Sequence, residues 1–277
     1  MAPRPLHDFK RLCVHTVTTK PWSLEEAIER YVRAGIGGIT IWRQALAGRK
    51  PAAVGTRVRE AGLKLVSLCR GGFFAHAEPT KRRAALQENL RALEEAAELG
   101  APLLVIVAGA DPAQSLAESR KQILTGLETL LPRAESVGVK LALEPLHPMY
   151  ADDRSAINTL AQANDVCRTL DSPFLGVAVD VYHLWWDPNL ESEIARCGRL
   201  SKLFAFHICD WKTPTEHLLY DRGLMGEGCI PLRQIRGWVE EAGFDGFHEV
   251  EIFSRKWWSE DQEIFLDRIK ESYLEFA

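Results

Sequence analysis

The chain has 277 residues, 34 basic against 38 acidic side chains and a formal net charge of -4, so it lacks the basic surplus that nucleic-acid phosphates or anionic lipids would call for. Six cysteines (Cys13, Cys69, Cys167, Cys197, Cys209 and Cys229) lie scattered without a CxxC pair, the pattern of reduced thiols in a cytosolic protein. No window approaches the ~18 consecutive apolar residues of a membrane span, and the length suits one barrel-sized domain or two ordinary ones.

Short β-rich runs alternate with segments of helical period from end to end, which predicts βα units with parallel strands. The first strand is expected at 12–17, followed by an N-cap at Ser23 and a helix to 34 whose stripe is Leu24, Ala27, Ile28 and Tyr31. Strand 38–42 precedes a helix at 51–61, and strand 64–69 precedes a helix at 80–99 striped by Leu86, Leu90, Leu93 and Ala97. Then come strand 103–108, helix 115–137, strand 140–144, helix 155–170, strand 175–180 and a short helix at 190–197. Strand 203–207, helix 231–242, strand 247–253 and helix 259–276 complete the count, with Gly62, Gly100 and Gly138 as C-cap signals. Eight βα pairs without a linker-like shift in composition predict a single (β/α)₈ barrel over 1–277.

Four strands of the second half each end on a metal-ligand side chain: LALE at Glu144, GVAVD at Asp180, LFAFH at His207 and VEIF at Glu251. Taken singly, each has a structural use, as a strand-end carboxylate, an N-cap or a hydrogen-bonded core histidine. Together, on four successive strands with C-terminal ends at one face, they point to one cation, because isolated buried charges are expensive. Glu249 shares a face with Glu251 and is an alternative fourth ligand; Glu251 lies nearer the rim. Three carboxylates, one imidazole and no thiolate make a hard donor set, suited first to Mn²⁺ and also to Mg²⁺ or Co²⁺. Cys209, two residues after His207, reads as an incidental rim thiol.

The loops after the strands carry Gly71-Gly72, Trp185-Trp186, Trp211 and Trp257-Trp258, aromatic surfaces suited to sugar C–H faces. His147, His183 and Asp210 each follow a ligand by three residues and are placed above the ion, with His183 and then His147 as acid/base candidates. Arg43, Arg70 and Arg222 are candidates for clamping a phosphate or carboxylate.

LALEPLH, VDVYH, FAFHICD, DRGLMGEGCIP and GFDGFHEVEIF, in this order over nearly the whole chain, resemble the xylose-isomerase-like barrel superfamily of sugar phosphate isomerases and epimerases. The resemblance implies that Glu144, Asp180, His207 and Glu251 hold a divalent metal, that His183 reaches the substrate, and that Glu144 and Glu251 are the acid/base pair. Ketose 3-epimerases place a second glutamate where this chain has Tyr150, and an arginine where it has Thr213. Apurinic endonucleases of the superfamily carry a D-R-H triplet where this chain reads Asp221-Arg222-Gly223, which argues against DNA repair.

The expected activity is thus metal-dependent proton transfer α to a carbonyl of a sugar, keto-sugar or cyclitol, giving isomerisation or epimerisation. His147, His183, Asp210, Trp211, Arg222 and Trp185 are the expected substrate contacts. Elimination from a 3-keto-glycoside or inosose is the runner-up, and a non-catalytic sugar-binding or subunit-partner barrel is the reading from another class. The expected partner is a small carbohydrate, with no nucleic acid or membrane; the expected location is cytoplasmic, and a homo-oligomer is compatible with the sequence.

Overall fold

The structure is a computed structural model that describes Pro3 and residues 5–277. Eight parallel strands close into a barrel: β1 Leu12–His15, β2 Gly38–Trp42, β3 Lys64–Gly72, β4 Leu103–Val107, β5 Lys140–Glu144, β6 Leu175–Asp180, β7 Leu203–Ile208 and β8 His248–Val250. Neighbours follow chain order, and β8 pairs with β1 to close the ring. Helices connect the strands, so the expected (β/α)₈ architecture is the observed one.

The differences lie at element ends and have local causes. β3 runs three residues past its expected end because Gly72, at φ +114, lets the chain lie against β4 where a Cβ would come within 1.8 Å of the Val107 carbonyl oxygen. The helix expected from 155 begins at Leu160: the Asn158 amide donates to the carbonyls of Leu146 and Ser155, and Thr159 caps the helix by accepting from Gln162 N–H. The last helix begins at Gln262 rather than 259, capped by Asp261, and a separate short helix, Arg255–Ser259, precedes it. The long loop after β7 is folded back by a two-stranded ribbon, Asp210–Trp211 with Arg222–Gly223.

The barrel strands are buried on both faces, and the pleat sorts their side chains by alternate residues. Leu141, Leu143, Val177, Val179, Phe206 and Ile208 belong to the main core beneath the helices. A separate small cluster, Cys69, Leu103, Val105, Ala142, Ala178 and Ala205, fills the lumen. All six cysteines are free, five of them buried. Among the described residues no helix is long and apolar enough to cross a membrane.

Candidate metal centre

Glu144, Asp180 and His207 each follow a lumen alanine, Ala142, Ala178 or Ala205, by two residues, so the pleat turns all three inward. Register keeps them together: Val107 is opposite Glu144, and Asp180 opposite His207. Glu251 stands one residue beyond β8. One donor atom from each of the four lies within 4.8 Å of the others, and all four residues are buried.

Two of the four residues, Glu144 and His207, are under-satisfied. Glu144 Oε1 and His207 Nδ1 are 2.8 Å apart, yet the contact lacks hydrogen-bond geometry, and neither atom nor His207 Nε2 has a hydrogen-bond partner. Leaving a buried polar atom unpaired costs about 1–3 kcal/mol. Burial alone would lower the His207 pKa, but Glu144 and Glu249 outweigh it and raise the pKa to about 10. The Asp180 pKa rises to about 6, chiefly through burial and against the pull of Arg222. Three carboxylates and an imidazole converge, with Glu144 Oε1 and both His207 nitrogens unpaired, so these residues fit a divalent ion.

A supporting layer ties the ligands down. Burial opposes ionisation of Glu251, but Arg222, then His15, hold its pKa well below the usual carboxylate range. Arg222 Nη1 donates to Asp180 Oδ2 at 2.9 Å and to Glu251 Oε2 at 2.8 Å. Its Nη2 lies 3.0 Å from His183 Nε2. A guanidinium only donates, so His183 Nε2 is the acceptor and the ring proton sits on Nδ1. Burial and the Arg222 charge hold His183 neutral, and its Nδ1 has no partner.

Glu249 is placed differently from Glu251. Its Oε2 accepts from Thr40 Oγ1 at 2.6 Å and Ser67 Oγ at 3.2 Å and lies 3.1 Å from His15 Nε2, one layer beneath the four converging donors. Trp42 Nε1–H donates to His15 Nδ1 at 3.2 Å, which leaves the His15 proton on Nε2, facing Glu249. Against burial, Glu251 and Glu249 nonetheless raise the His15 pKa to about 9. The Trp42 contact selects the neutral tautomer; the raised pKa reflects the same excess of negative charge that a dication would relieve.

A cavity of about 240 Å³ opens above the cluster, lined by Glu144, His183, Arg222 and Glu251 together with Trp42, Tyr150, Arg70 and Arg154. His183 and Arg222 thus lie where a substrate would sit. Four other expected substrate contacts lie outside that lining. Asp210 is committed to the loop after β7: its carboxylate accepts from the backbone N–H groups of Trp211, Gly226, Gly228 and Ile230, because a buried carboxylate beside a tight loop satisfies the nearest donors. His147 Nδ1 accepts from Met149 N–H, and its ring packs on Trp186 and Trp211. Trp211 stacks on Tyr182 at 4.7 Å and touches Trp185 at 5.6 Å, so these rings pack the rim against itself. Burial pushes the Cys209 pKa well up, and Cys209 is not among the four converging donors.

Tyr150 donates to the Leu218 carbonyl at 2.5 Å, and Tyr182 donates to the same oxygen at 3.3 Å. Tyr150, which stands where ketose 3-epimerases place a second glutamate, therefore pins the loop over the cavity. His15, Thr40 and Ser67 were not singled out by sequence reasoning. A signal existed for His15: β1, Leu-Cys-Val-His, has the same small residue two places before a polar end as LALE, VAVD and FAFH.

The family described as xylose isomerase-like TIM barrel matches residues 28–270. The solved protein SMc04130 from Sinorhizobium meliloti 1021 is 44% identical, with a TM-score of 0.94, covering 98% of this chain and 99% of that one. The IOLI protein, solved with a binding zinc atom, is 22% identical with a TM-score of 0.84, covering 96% and 97%. The inosose isomerase of Halalkalibacterium halodurans is 26% identical over 207 residues, 73% of this chain and 71% of that protein.

Proposed function

The chain belongs to the xylose isomerase-like TIM barrel family, and from that premise we propose that it is a divalent-metal-dependent isomerase or epimerase that moves a proton α to the carbonyl of a sugar, keto-sugar or cyclitol. The observation that carries this reading is the convergence of four buried donor atoms within 4.8 Å, with Glu144 Oε1 and His207 Nδ1 and Nε2 left without hydrogen bonds. Glu144, Asp180, His207 and Glu251 would hold the ion, with Mn²⁺ as the first assignment for this hard donor set. An ion there would supply Lewis-acid polarisation of a substrate carbonyl, lowering the pKa of the adjacent C–H. The names of relatives agree: an inosose isomerase by sequence and a 3-keto-D-glucoside 4-epimerase by fold.

The two glutamates are unequally placed for proton transfer. No hydrogen bond among the described residues holds Glu144 Oε1, so Glu144 would give one oxygen to the ion and use the other to accept a proton from carbon. Glu251 is gripped by Arg222 and kept ionised, which suits it to orienting the substrate and to exchanging a proton once that grip is shared. His183 Nδ1–H is the donor for a substrate oxygen. A second reading, β-elimination, uses the same first proton abstraction; Tyr150 favours it, since its hydroxyl is committed to Leu218 and adds no second carboxylate.

Metal analysis of protein purified without chelator should find about one equivalent of a transition metal, and ¹H NMR should show solvent deuterium entering a keto-sugar or inosose. Protein that neither contains nor takes up metal would end the reading. Exchange that survives undiminished in Glu144→Gln would remove Glu144 as the base.

A further inference from the structure

Most arginines and lysines near the barrel mouth have a carboxylate partner. Arg43 is bonded to Glu88 at 2.8 Å and to Glu95 at 2.6 Å, Lys212 is paired with Asp221, and Arg222 with Asp180 and Glu251. Arg70 has none among the described residues. It follows the lumen residue Cys69, is half-buried, and rests its guanidinium 4.3 Å from the centre of the Phe73 ring. Arg154 has only the rim ring of Tyr150 at 5.6 Å and a loose 3.8 Å contact to the exposed Asp153. Both arginines line the same cavity as Glu144, His183 and Glu251.

Arg70 also borders the neighbouring cavity of about 450 Å³, but the cations there are already matched: Arg43 by Glu88 and Glu95, Lys81 by Glu78, and Arg91 by Glu88. Arg70, which borders both cavities, is the arginine they share that has no carboxylate partner among the described residues. Burial, and then the like charge of Arg154, push the Arg70 pKa down. Two guanidinium groups lining one cavity, neither held by a close carboxylate there, favour an anion between them.

Resting on the proton-transfer reading above, we infer that the substrate carries an anionic group, a carboxylate or a phosphate, which Arg70 and Arg154 clamp at the mouth while the reacting carbons lie over Glu144 and Glu251. The planar fork of arginine matches either oxyanion with two parallel hydrogen bonds. The reacting end meets an acidic floor and the anionic end a basic rim, so such a substrate has one favoured direction of entry.

The test is isothermal titration of the metal-loaded protein with inorganic phosphate and, separately, with acetate, followed by D-fructose 6-phosphate, D-fructuronate and D-fructose. One small anion should bind saturably at one site, and the charged sugar with the same group should bind at least about tenfold more tightly than D-fructose. Both gains should fall by about tenfold or more in Arg70→Gln and in Arg154→Gln, and Arg70→Lys should restore part of the loss. Arg154, on the rim, keeps the test open if Arg70→Gln folds poorly, and circular dichroism checks each variant. The anion that gains identifies carboxylate or phosphate. No saturable anion binding, or binding that both glutamine variants retain because it belongs to the metal, would overturn the clamp. The two readings fail separately: deuterium exchange into a neutral sugar without arginine-dependent anion binding defeats the clamp alone, whereas arginine-dependent binding with no exchange in any sugar defeats proton transfer alone.

Discussion

The two sides of the barrel lumen solve different problems. On the β4 to β7 side, Val105, Ala142, Ala178 and Ala205 lie beneath the polar ends and ask for no hydrogen bonds. On the β8 and β1 to β3 side, Glu249 occupies the corresponding place beneath Glu251 and is satisfied by His15, Thr40 and Ser67. The consequence reaches the ligands. Glu144, above alanine, keeps an oxygen without a donor, whereas Glu251, above the polar layer, accepts from Arg222. Glu144 is thereby left available for chemistry, whereas Glu251, like Asp180 above Ala178, is held by Arg222.

The largest effect should come from the apolar side. Glu144→Gln is expected to lower solvent exchange by about 10²–10⁴-fold with the fold intact by circular dichroism, and a smaller loss than that of Glu251→Gln would reverse the assigned roles. Next is the proposed ion, which would draw its ligands from both sides: chelation should remove about 2.7 kcal/mol of stability if the metal is present at about 100 times its Kd. Differential scanning calorimetry with and without chelator measures this, and an unchanged melting temperature would argue against occupancy by a structural or catalytic ion.

The polar side should act through affinity. His15→Ala is expected to weaken metal binding by about 10–100-fold, as loss of a group that orients a ligand does. Competition with a metal-binding dye reads it, and unchanged affinity would make the Glu249 layer mere packing. Outside the lumen, Asp210→Ala strips an acceptor from four backbone N–H groups and should cost about 1–3 kcal/mol in urea unfolding; a loss of substrate affinity with no loss of stability would return Asp210 to the site. The smallest effect is expected for Tyr150→Phe, about 0.5–1.5 kcal/mol, appearing as faster hydrogen exchange in the loop around Leu218.

The sequence by itself determined the eight-unit rhythm and the inward-facing ends of β5, β6 and β7, because both follow from local periodicities. A helix repeats every 3.6 residues and a strand every two, so LALE, VAVD and FAFH announce burial, direction and a polar tip within four residues. Only the tertiary structure decided what those tips touch. The partners of Glu249 lie 182 to 234 residues away in the chain, and Arg222 reaches Asp180 across 42. Asp210 and His147 stand at the same offset from a proposed ligand as His183, but the loop after β7 wraps the N–H groups of residues 16 to 20 positions on around Asp210, and His147 turns back to the N–H of Met149. Spacing along a strand is a property of the backbone; pairing across a closed barrel depends on closure, and no local pattern encodes which donors closure delivers to a given carboxylate.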